Sequence, residues 1–396
     1  MSSQSAHRST IVSAAMILLA LCIAGRQDVA NAAHETAFPV LVEVPFVAAP
    51  VRANDKSHLF YEVHLTNLSP APLELTRLEI HSNAADGPVL ASYASDDLTR
   101  RLLRPGLSDD VPNRRTMGGG LRAVAFVHLL LDGDVPAPTM LWHRLTFKRT
   151  DAAGHAEESV FDSGPINVTR EPPIVITSAL RGGDWLAANG SSDDSIHRRA
   201  LITVDGKARI AQRFAIDWIK LGSGGRPHHG DPSQNTNWYG YGQDVLAVAD
   251  GTVVAIEDDI PENVPLTDHR AVPITLETVA GNYVTLDVGG GHYATFGHLQ
   301  PHSLRVSVGS QVHRGQVLAL LGNSGNSDAP HLHFQMTDGN STLGAEGLPF
   351  VFDSFQLQGT VPSLVGILSG RPWHPASAGV TRKQEMPLDN AVVRFP

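Results

Sequence analysis

The feature that most constrains the fold is the way glycine and proline interrupt the sequence every few residues. The chain has 36 Gly and 26 Pro among its 396 residues, and no stretch keeps a sustained helical period of apolar residues. Both residues weaken helix interiors and favour turns, whereas short alternating runs between them are typical of strands. With 42% hydrophobic and 18% charged residues, the composition is that of a globular protein. The sequence therefore predicts an all-β fold.

Residues 34–172 are predicted to form a β-sandwich of immunoglobulin-like type. Apolar and polar residues alternate over residues 58–80 around a Ser-Pro-Ala-Pro turn, and residues 122–131 and 141–147 are further strand candidates. Strands of this length at this spacing are typical of such sandwiches. Two prolines directly after Glu171 predict a linker to the next domain.

Residues 173–360 are predicted to form a second all-β domain. The run VLAVADGTVVAIE at residues 245–257 predicts a hairpin about its Asp-Gly pair, and residues 283–287 predict another strand. The remaining residues, 361–396, are rich in proline and are predicted to be a tail on the surface.

Residues 1–33 are predicted to be a secretory signal peptide. A weakly basic start precedes an apolar run at residues 11–25, and small residues at 30–32 supply the cleavage spacing. The run is shorter than the roughly 20 residues that span a membrane, and an uncut membrane anchor is the alternative. We therefore expect an exported protein, periplasmic or extracellular, without a stable membrane span after cleavage. Cleavage would also remove Cys22, the only cysteine, so no disulfide is expected.

The strongest chemical signal is the motif Pro-His-Leu-His-Phe, which contains His331 and His333. Residues two apart on a strand project from the same face, so the two imidazoles are expected to lie side by side. Zinc prefers nitrogen and carboxylate ligands, and a catalytic zinc keeps one position open to water. His298 follows another predicted strand, and Asp217 lies between apolar neighbours, where a carboxylate is costly to bury without a cation or partner. These four residues are the candidate site.

The strings AVADGTVVA, GNYVTL, FGHL, VGSQVHRGQVLALLGNSGNS and HLHFQ, in that order, resemble the lysostaphin-type, LytM-like zinc metalloendopeptidases. The resemblance covers residues 213–345. It implies a LytM-type β-sheet domain with a barrel-sandwich form, in which zinc is bound by Asp217 and His333. It also implies that His298 and His331 flank the metal-bound water, one removing its proton and the other stabilising the oxyanion or protonating the leaving amine. Their division of these roles stays open.

The sequence departs from the family pattern at the first zinc ligand, where Arg213 stands four residues before the aspartate. A guanidinium stays protonated and cannot bind zinc. We predict that His197 is the substitute ligand. A hairpin turning at an Asp-Gly-Lys sequence would bring residue 197 opposite residues 214–215, close to Asp217.

Two further histidines, His228 and His229, are the second candidates for the missing ligand. They lie in a glycine-rich segment between residues 217 and 244, which is longer than the family normally has. Its aromatic residues Trp238, Tyr239 and Tyr241 are expected either to line a peptide groove or to pack this loop against the domain.

The predicted function is hydrolysis of peptide bonds by a zinc-activated water, in peptide or peptidoglycan substrates. The alternative is a non-catalytic LytM-type binding or regulatory module that has lost its metal and contacts a cell-wall enzyme. The net charge of −10 gives no reason to expect a nucleic-acid partner. A lipoyl- or biotin-carrier barrel, which the segment VGSQVHRGQVLALLG also resembles, is excluded because no lysine lies between Lys220 and Lys383.

Overall fold

The computed structural model describes residues 38–47, 49–108, 111–133 and 136–396, and residues 38–396 form one compact unit. The predicted signal peptide at residues 1–33, with Cys22, lies outside the described residues. No helix in these ranges is long and apolar enough to cross a membrane. The described residues form strands far more often than helices, so the all-β prediction is confirmed.

The first part of the chain builds two antiparallel sheets. Its elements are β1 (Val40–Glu43), β2 (Val51–Ala53), β3 (Lys56–Asn67), β4 (Leu73–Ser82), β5 (Val89–Ala94), α1 (Ser95–Arg101), β6 (Leu102–Leu103), β7 (Thr116–Met117), β8 (Arg122–Asp132), β9 (Met140–Thr150), β10 (Ala156–Asp162) and β11 (Ile166–Asn167). One sheet has the order β1-β3-β8-β6 with β2 on β3, and the other has the order β10-β9-β4-β5 with β7 on β4 and β11 on β9. Apolar side chains from both sheets share one core, so the two sheets form a β-sandwich. Its immunoglobulin-like type stays a prediction.

Strands β3 and β8 are buried on both faces. One face of β3 contributes Leu59 and Tyr61 to the sandwich core, while Phe60 on the opposite face joins the core of the second part of the chain. Phe126 of β8 packs likewise with Ile210. The sandwich therefore uses one sheet to pack against the rest of the protein.

The second part of the chain builds one large sheet of eleven strands. Its elements, with two short pairs, are β12 (Ile174–Ile176), β13 (Asp184–Ala188), β14 (Ile202–Val204), β15 (Lys207–Arg209), β16 (Ile216–Leu221), the 3-10 helix Asn235–Asn237, β17 (Asp244–Leu246), β18 (Gly251–Glu257), β19 (Asn282–Asp287), β20 (Tyr293–Leu299), β21 (Gln311–Val312), β22 (Val317–Leu320), β23 (Leu332–Thr337), β24 (Phe350–Thr360), α2 (Leu364–Leu368), β25 (Val380–Glu385) and β26 (Ala391–Arg394). The order is β12-β24-β26-β13-β16-β23-β20-β19-β18-β21 with β25 on β24. Strands β16, β23 and β20 are neighbours near its centre, and the candidate site lies on them.

Three local predictions differ from this arrangement. Residues 245–257 do not form a hairpin, because β17 pairs with β22 while β18 pairs with β19 and β21. The turn predicted between residues 197 and 217 closes only the short β14–β15 pair, at Val204 and Lys207. Residues 361–396 are not a surface tail, since β26 lies between β24 and β13 and buries Val392 and Val393.

Candidate metal centre

Asp217 and His333 are brought together by strand register. Asp217 on β16 is the pairing partner of His333 on β23, and directly opposed residues on antiparallel strands share one face. Their neighbours Ile216 and Trp218 project into the core on the other face. His333 Nδ1 lies 2.9 Å from Asp217 Oδ1, and both residues are buried. The register and alternation of β16 and β23 therefore place a carboxylate and an imidazole next to each other on one face of the sheet.

His298 reaches the same point through a backbone irregularity at the end of β20. Gly297 pairs with His333, and His298 then adopts a φ of +61°, while its N–H donates to the carbonyl of Ala280 at 2.8 Å. This conformation costs a non-glycine residue about 1 kcal/mol, and such irregularities often re-aim a side chain beside an active site. The centroid of the His298 ring lies 4.7 Å from that of His331 and 5.8 Å from that of His333.

His331 lies directly before β23 and approaches the carboxylate from the strand end. Its Nε2 is 3.4 Å from Asp217 Oδ1. Its Nδ1 is 2.8 Å from the carbonyl of Ala329 and 3.2 Å from Ser327 Oγ. The ring is therefore held at one nitrogen while the other faces Asp217.

His197 also faces Asp217, although the predicted hairpin does not place it there. It lies on a turn at residues 196–199, and its ring faces Asp217 near the start of β16. Its Nε2 is 3.3 Å from Asp217 Oδ2, and its ring centroid is 4.9 Å from that of His333. Its Nδ1 is 3.1 Å from the carbonyl of Asn189. His197, the predicted substitute ligand, therefore does lie beside Asp217, but a turn positions it and the predicted hairpin does not.

The hydrogen bonds of three rings fix which nitrogen carries the proton. Nδ1 of His197, of His298 and of His331 each faces a backbone carbonyl, which only accepts hydrogen bonds. In the neutral rings Nδ1 therefore carries the hydrogen and Nε2 keeps the lone pair.

His333 has the opposite tautomer because of Gln335. The amide nitrogen of Gln335 donates to the carbonyl of Thr342 at 2.9 Å, so its oxygen faces His333 Nε2, also at 2.9 Å. The amide oxygen accepts a hydrogen bond from Nε2–H, which leaves the lone pair on Nδ1, the atom that faces Asp217.

The cluster is electrostatically suited to a cation. Burial alone would raise the pKa of Asp217, but the facing histidines, His197 and His331 foremost, hold it well below its usual value. Burial lowers the pKa of His197 to about 4 and that of His298 well below its usual value, so both rings are neutral near pH 7. Burial opposes the charged form of His331, but the Asp217 carboxylate raises the pKa of that ring, and the same carboxylate would favour a metal cation at this point.

Three of these residues fit the donor set of a structural or catalytic zinc ion. One donor atom each from His197, Asp217 and His333 lies within 4.8 Å of the others. Two donors about 2.0–2.1 Å from one tetrahedral zinc lie about 3.4 Å apart. His333 Nδ1 lies 2.9 Å from Asp217 Oδ1, and His197 Nε2 lies 3.3 Å from Asp217 Oδ2, so the two imidazoles face different oxygens of one carboxylate. Two imidazole nitrogens and the Asp217 carboxylate would supply three protein ligands, which is the number that a catalytic zinc ion has when its fourth position is open to water.

A cleft opens above this cluster. His197, His298, Asp217, His331 and His333 all line it. The cleft has both apolar and polar walls, which include Ile196, Ile219, Leu364, Arg270, Asn326 and Asp328.

His228 and His229 do not reach the centre. The ring of His228 lies 5.0 Å from that of Trp238, and the ring of His229 lies 5.3 Å from that of Tyr239. Among the described residues that line the cleft, neither histidine occurs, nor do Trp238, Tyr239 or Tyr241. The buried Trp238 donates its indole N–H to a backbone carbonyl of the same loop, so Trp238 packs the loop.

Arg213 faces away from the centre. Its guanidinium is buried and lies 2.9 Å from the carboxylates of both Glu62 and Glu346, over the ring of Phe46 at 4.8 Å. The position that holds a histidine in the family pattern therefore holds an ion-pairing residue at the contact with the β-sandwich.

Two residues of the centre were missed in the sequence. Asn189 donates from its side chain to Asp217 Oδ2 at 2.8 Å, and Gln335 fixes the tautomer of His333. Asn189 precedes a glycine and has a φ of +54°, so the Asn-Gly pair signalled a turn. Gln335 stands two residues after His333 on one strand, so alternation placed both on one face.

Residues 238–344 match the sequence model of peptidase family M23. The chain is also similar to solved structures of the catalytic domain of lysostaphin from Staphylococcus simulans (25% identity, 33% of this chain and 88% of that one, TM-score 0.20) and of a putative peptidase M23 from Pseudomonas aeruginosa (15%, 76% and 96%, 0.25). A zinc-containing peptidase from Vibrio cholerae matches at 15% identity over 55% of this chain and 84% of that one, with a TM-score of 0.19. Likenesses with TM-scores this low carry no argument about activity.

The match to the family model confirms the lysostaphin-type resemblance: the chain carries an M23 peptidase domain. The matched range includes His298, His331 and His333 but begins after Asp217 and His197. M23 peptidases are zinc-dependent. The donor set assembled here has the chemistry that such a domain requires.

Proposed function

We propose that this protein, which carries an M23 domain, is a zinc metalloendopeptidase that acts outside the cytoplasm on peptide cross-links of bacterial peptidoglycan. The observation that carries the proposal is the convergence of His197, Asp217 and His333 within 4.8 Å, with two further imidazoles in the same cleft.

His197, Asp217 and His333 would hold the zinc ion through Nε2, a carboxylate oxygen and Nδ1. Bound zinc supplies Lewis acidity, which polarises a carbonyl and lowers the pKa of water to about 7. Gln335 keeps the lone pair of His333 on the ligating nitrogen, as outer hydrogen bonds commonly do at metal sites. Asn189 donates to Oδ2 of Asp217 and so helps to fix the orientation of the carboxylate.

His298 and His331 are the groups that move protons in this proposal. Each has Nδ1 anchored on a carbonyl, so Nε2 is the nitrogen that can take up or release a proton in the cleft where a scissile bond would lie. One ring accepts a proton from the attacking water, and the other stabilises the oxyanion or delivers a proton to the leaving amine. The two anchors are alike, so the geometry supports either division of roles.

A peptide is the substrate class that the cleft supports. It combines apolar side chains such as Ile196 and Leu364 with the polar groups of Arg270 and Asp328, which suits a backbone carrying both kinds of substituent. Peptidoglycan and export are proposed from the family and from the predicted signal at residues 1–33.

The test is zinc content and peptide hydrolysis of the purified protein. We expect about one zinc ion per chain by elemental analysis and cleavage of peptidoglycan-derived peptides that stops with a chelator. His197→Ala should lower both the zinc content and hydrolysis, whereas His229→Ala, a control in an exposed loop, should change neither. A folded protein that binds no zinc and cuts no peptide would favour the non-catalytic module. Normal zinc content in His197→Ala would remove His197 from the ligand set.

A further inference from the structure

The third ligand of the proposed zinc site lies on a different kind of support from the other two. Asp217 and His333 are fixed by the register of a central sheet. His197 lies on a turn outside any strand, closed by the hydrogen bond from Arg199 N–H to the carbonyl of Ser195 at 3.1 Å. A loop holds a ligand less accurately than a strand unless other contacts fix it.

The residue after His197 provides such a contact. Arg198 is fully buried, and its Nη2 donates to the carbonyls of Tyr61 at 3.1 Å and Val127 at 2.6 Å. These two residues are pairing partners on β3 and β8 of the β-sandwich. The guanidinium also lies over the rings of Phe60 and Phe126, at 5.0 and 5.4 Å. Arg198 thus attaches the ligand-bearing turn to the sandwich.

Asp193 ties the beginning of the same segment to the sandwich. Its carboxylate accepts from Arg198 Nη1 at 3.0 Å and from Arg101 of α1 at 2.7 Å. Arg199 donates to the carbonyl of Arg100, also in α1. Three sandwich elements, β3, β8 and α1, therefore contact residues 193–199.

Glu62 of β3 contacts the two arginines that lie near two of the proposed ligands. Its two carboxylate oxygens lie 3.4 Å from Arg198 and 2.9 Å from Arg213. Arg198 follows His197, and Arg213 precedes Asp217 by four residues. One buried carboxylate of the sandwich thus pairs with an arginine beside each ligand-bearing segment.

We infer that the β-sandwich is a structural part of the metal centre, with Arg198 as the positioning residue that fixes His197 for zinc. The inference rests on the proposed function, since it concerns the same site. It assigns the N-terminal part of the chain a role in metal affinity. The inferred route from Arg198 to the metal runs through the adjacent His197, because the Arg198 guanidinium contacts sandwich carbonyls and carboxylates and does not line the cleft.

The experiment measures the zinc dissociation constant of the full chain by competition with a chromophoric chelator, in a double-mutant cycle. Arg198→Lys keeps the charge but loses the planar fork that spans two carbonyls. We expect it to weaken zinc binding about 10- to 100-fold, the range found for residues that orient a ligand. In a His197→Ala background the same substitution should have no further effect, because the ligand it positions is already absent.

A second readout is the absorption spectrum of the protein loaded with cobalt(II), which should change in Arg198→Lys in the direction of His197→Ala. Leu145→Ala is the control for general destabilisation, since it opens the sandwich core but touches none of the contacts above. It should lower the melting temperature and leave zinc affinity unchanged. If Arg198→Lys does not fold, Asp193→Asn, which removes one partner of Arg198, takes its place in the cycle.

Unchanged zinc affinity in a folded variant at position 198 or 193 would overturn the inference while leaving the proposed function intact. An equal loss with and without His197 would overturn it as well, because Arg198 would then act elsewhere. Absence of zinc binding in the wild-type chain would overturn the proposed function, and the inference with it.

Discussion

Replacing Gln335 by leucine should weaken zinc binding at the proposed site, although it changes none of the proposed ligands. Gln335 is buried, and its amide oxygen holds His333 Nε2–H while its amide nitrogen donates to Thr342. Without this acceptor, the hydrogen of His333 can move to Nδ1, the nitrogen proposed to bind zinc. Loss of such an outer hydrogen bond costs about 10- to 100-fold in metal affinity, which corresponds to about 1.4–2.7 kcal/mol of binding free energy.

The same substitution also has a folding cost, which a second variant separates from the effect on zinc. Gln335→Leu removes the buried partner of His333 Nε2 and the donor to the Thr342 carbonyl, and a buried polar group left without a partner costs about 1–3 kcal/mol. Gln335→Glu keeps an acceptor for His333 but loses the donor to Thr342. It should therefore lose stability and retain tight zinc binding.

The assay is a chelator competition titration for zinc, with thermal unfolding in excess chelator to measure stability of the metal-free protein. A folded Gln335→Leu protein with wild-type zinc affinity would refute the assignment of Nδ1 as the ligating nitrogen of His333. Equal affinity losses in the leucine and glutamate variants would show that the amide acts by packing and not as an acceptor.

Three further predictions follow from the site and from its support. His298→Gln and His331→Gln should each keep zinc near one equivalent while peptide hydrolysis falls by about 10²–10⁴-fold, the usual contribution of a general acid or base; full activity in either would remove that residue from the proton transfers. Burial lowers the pKa of His143 in the sandwich core to about 4. The unfolded chain therefore binds its proton below about pH 6.5 and the folded chain only near pH 4, so stability falls as the pH drops through this window, by about 3 kcal/mol for this group. Denaturant titrations should show that loss reduced in His143→Phe and unchanged in the exposed control His155→Gln, and equal slopes in both variants would contradict it. Arg213→His, which restores the residue of the family pattern, should lower the melting temperature and leave zinc affinity no higher, because it removes the buried guanidinium that pairs with both Glu62 and Glu346; tighter zinc binding would show that position 213 still reaches the centre.

The strands were largely predictable because their signal is local. Residues 122–131 and 141–147, predicted from alternation, correspond to β8 and β9, which span Arg122–Asp132 and Met140–Thr150. Pairing was not predictable in the same way. The Asp-Gly pair in residues 245–257 does mark a turn, but β17 and β18 find their partners in strands far along the chain.

In the candidate site, too, the positions set by local sequence were predictable and those set by distant contacts were not. Strand alternation is enough to predict that His333 and Gln335 lie on one face of their strand. A carboxylate between apolar residues is enough to identify Asp217 as a candidate. His298 depends on a positive φ that no residue type near it announces. His197 reaches the centre by packing of a turn, and the hairpin expected to carry it there is wrong in extent. Contacts between distant segments decide these two positions, and a sequence pattern does not encode them.

The presence of Arg213 in place of the family's histidine has a structural reason that the sequence does not reveal. Its partners Glu62 and Glu346 lie 151 and 133 residues away, and all three side chains are buried. A buried guanidinium needs such partners to offset the loss of its hydration. Arg213 in this ion pair faces away from the candidate centre, so the proposed zinc site takes its third ligand from another segment.

The segment that supplies it is held by the same carboxylate. Glu62 lies against Arg198 as well as Arg213, so the ion pair that removes one ligand position also fastens the turn that carries His197. Loss of a strand-supported ligand would normally leave a flexible substitute and a weak site. Here the β-sandwich supplies the rigidity that the turn lacks, because its carbonyls and its carboxylate bind the arginine next to the ligand. In the proposed zinc site, one buried charge cluster would therefore both dock the sandwich and position the third ligand.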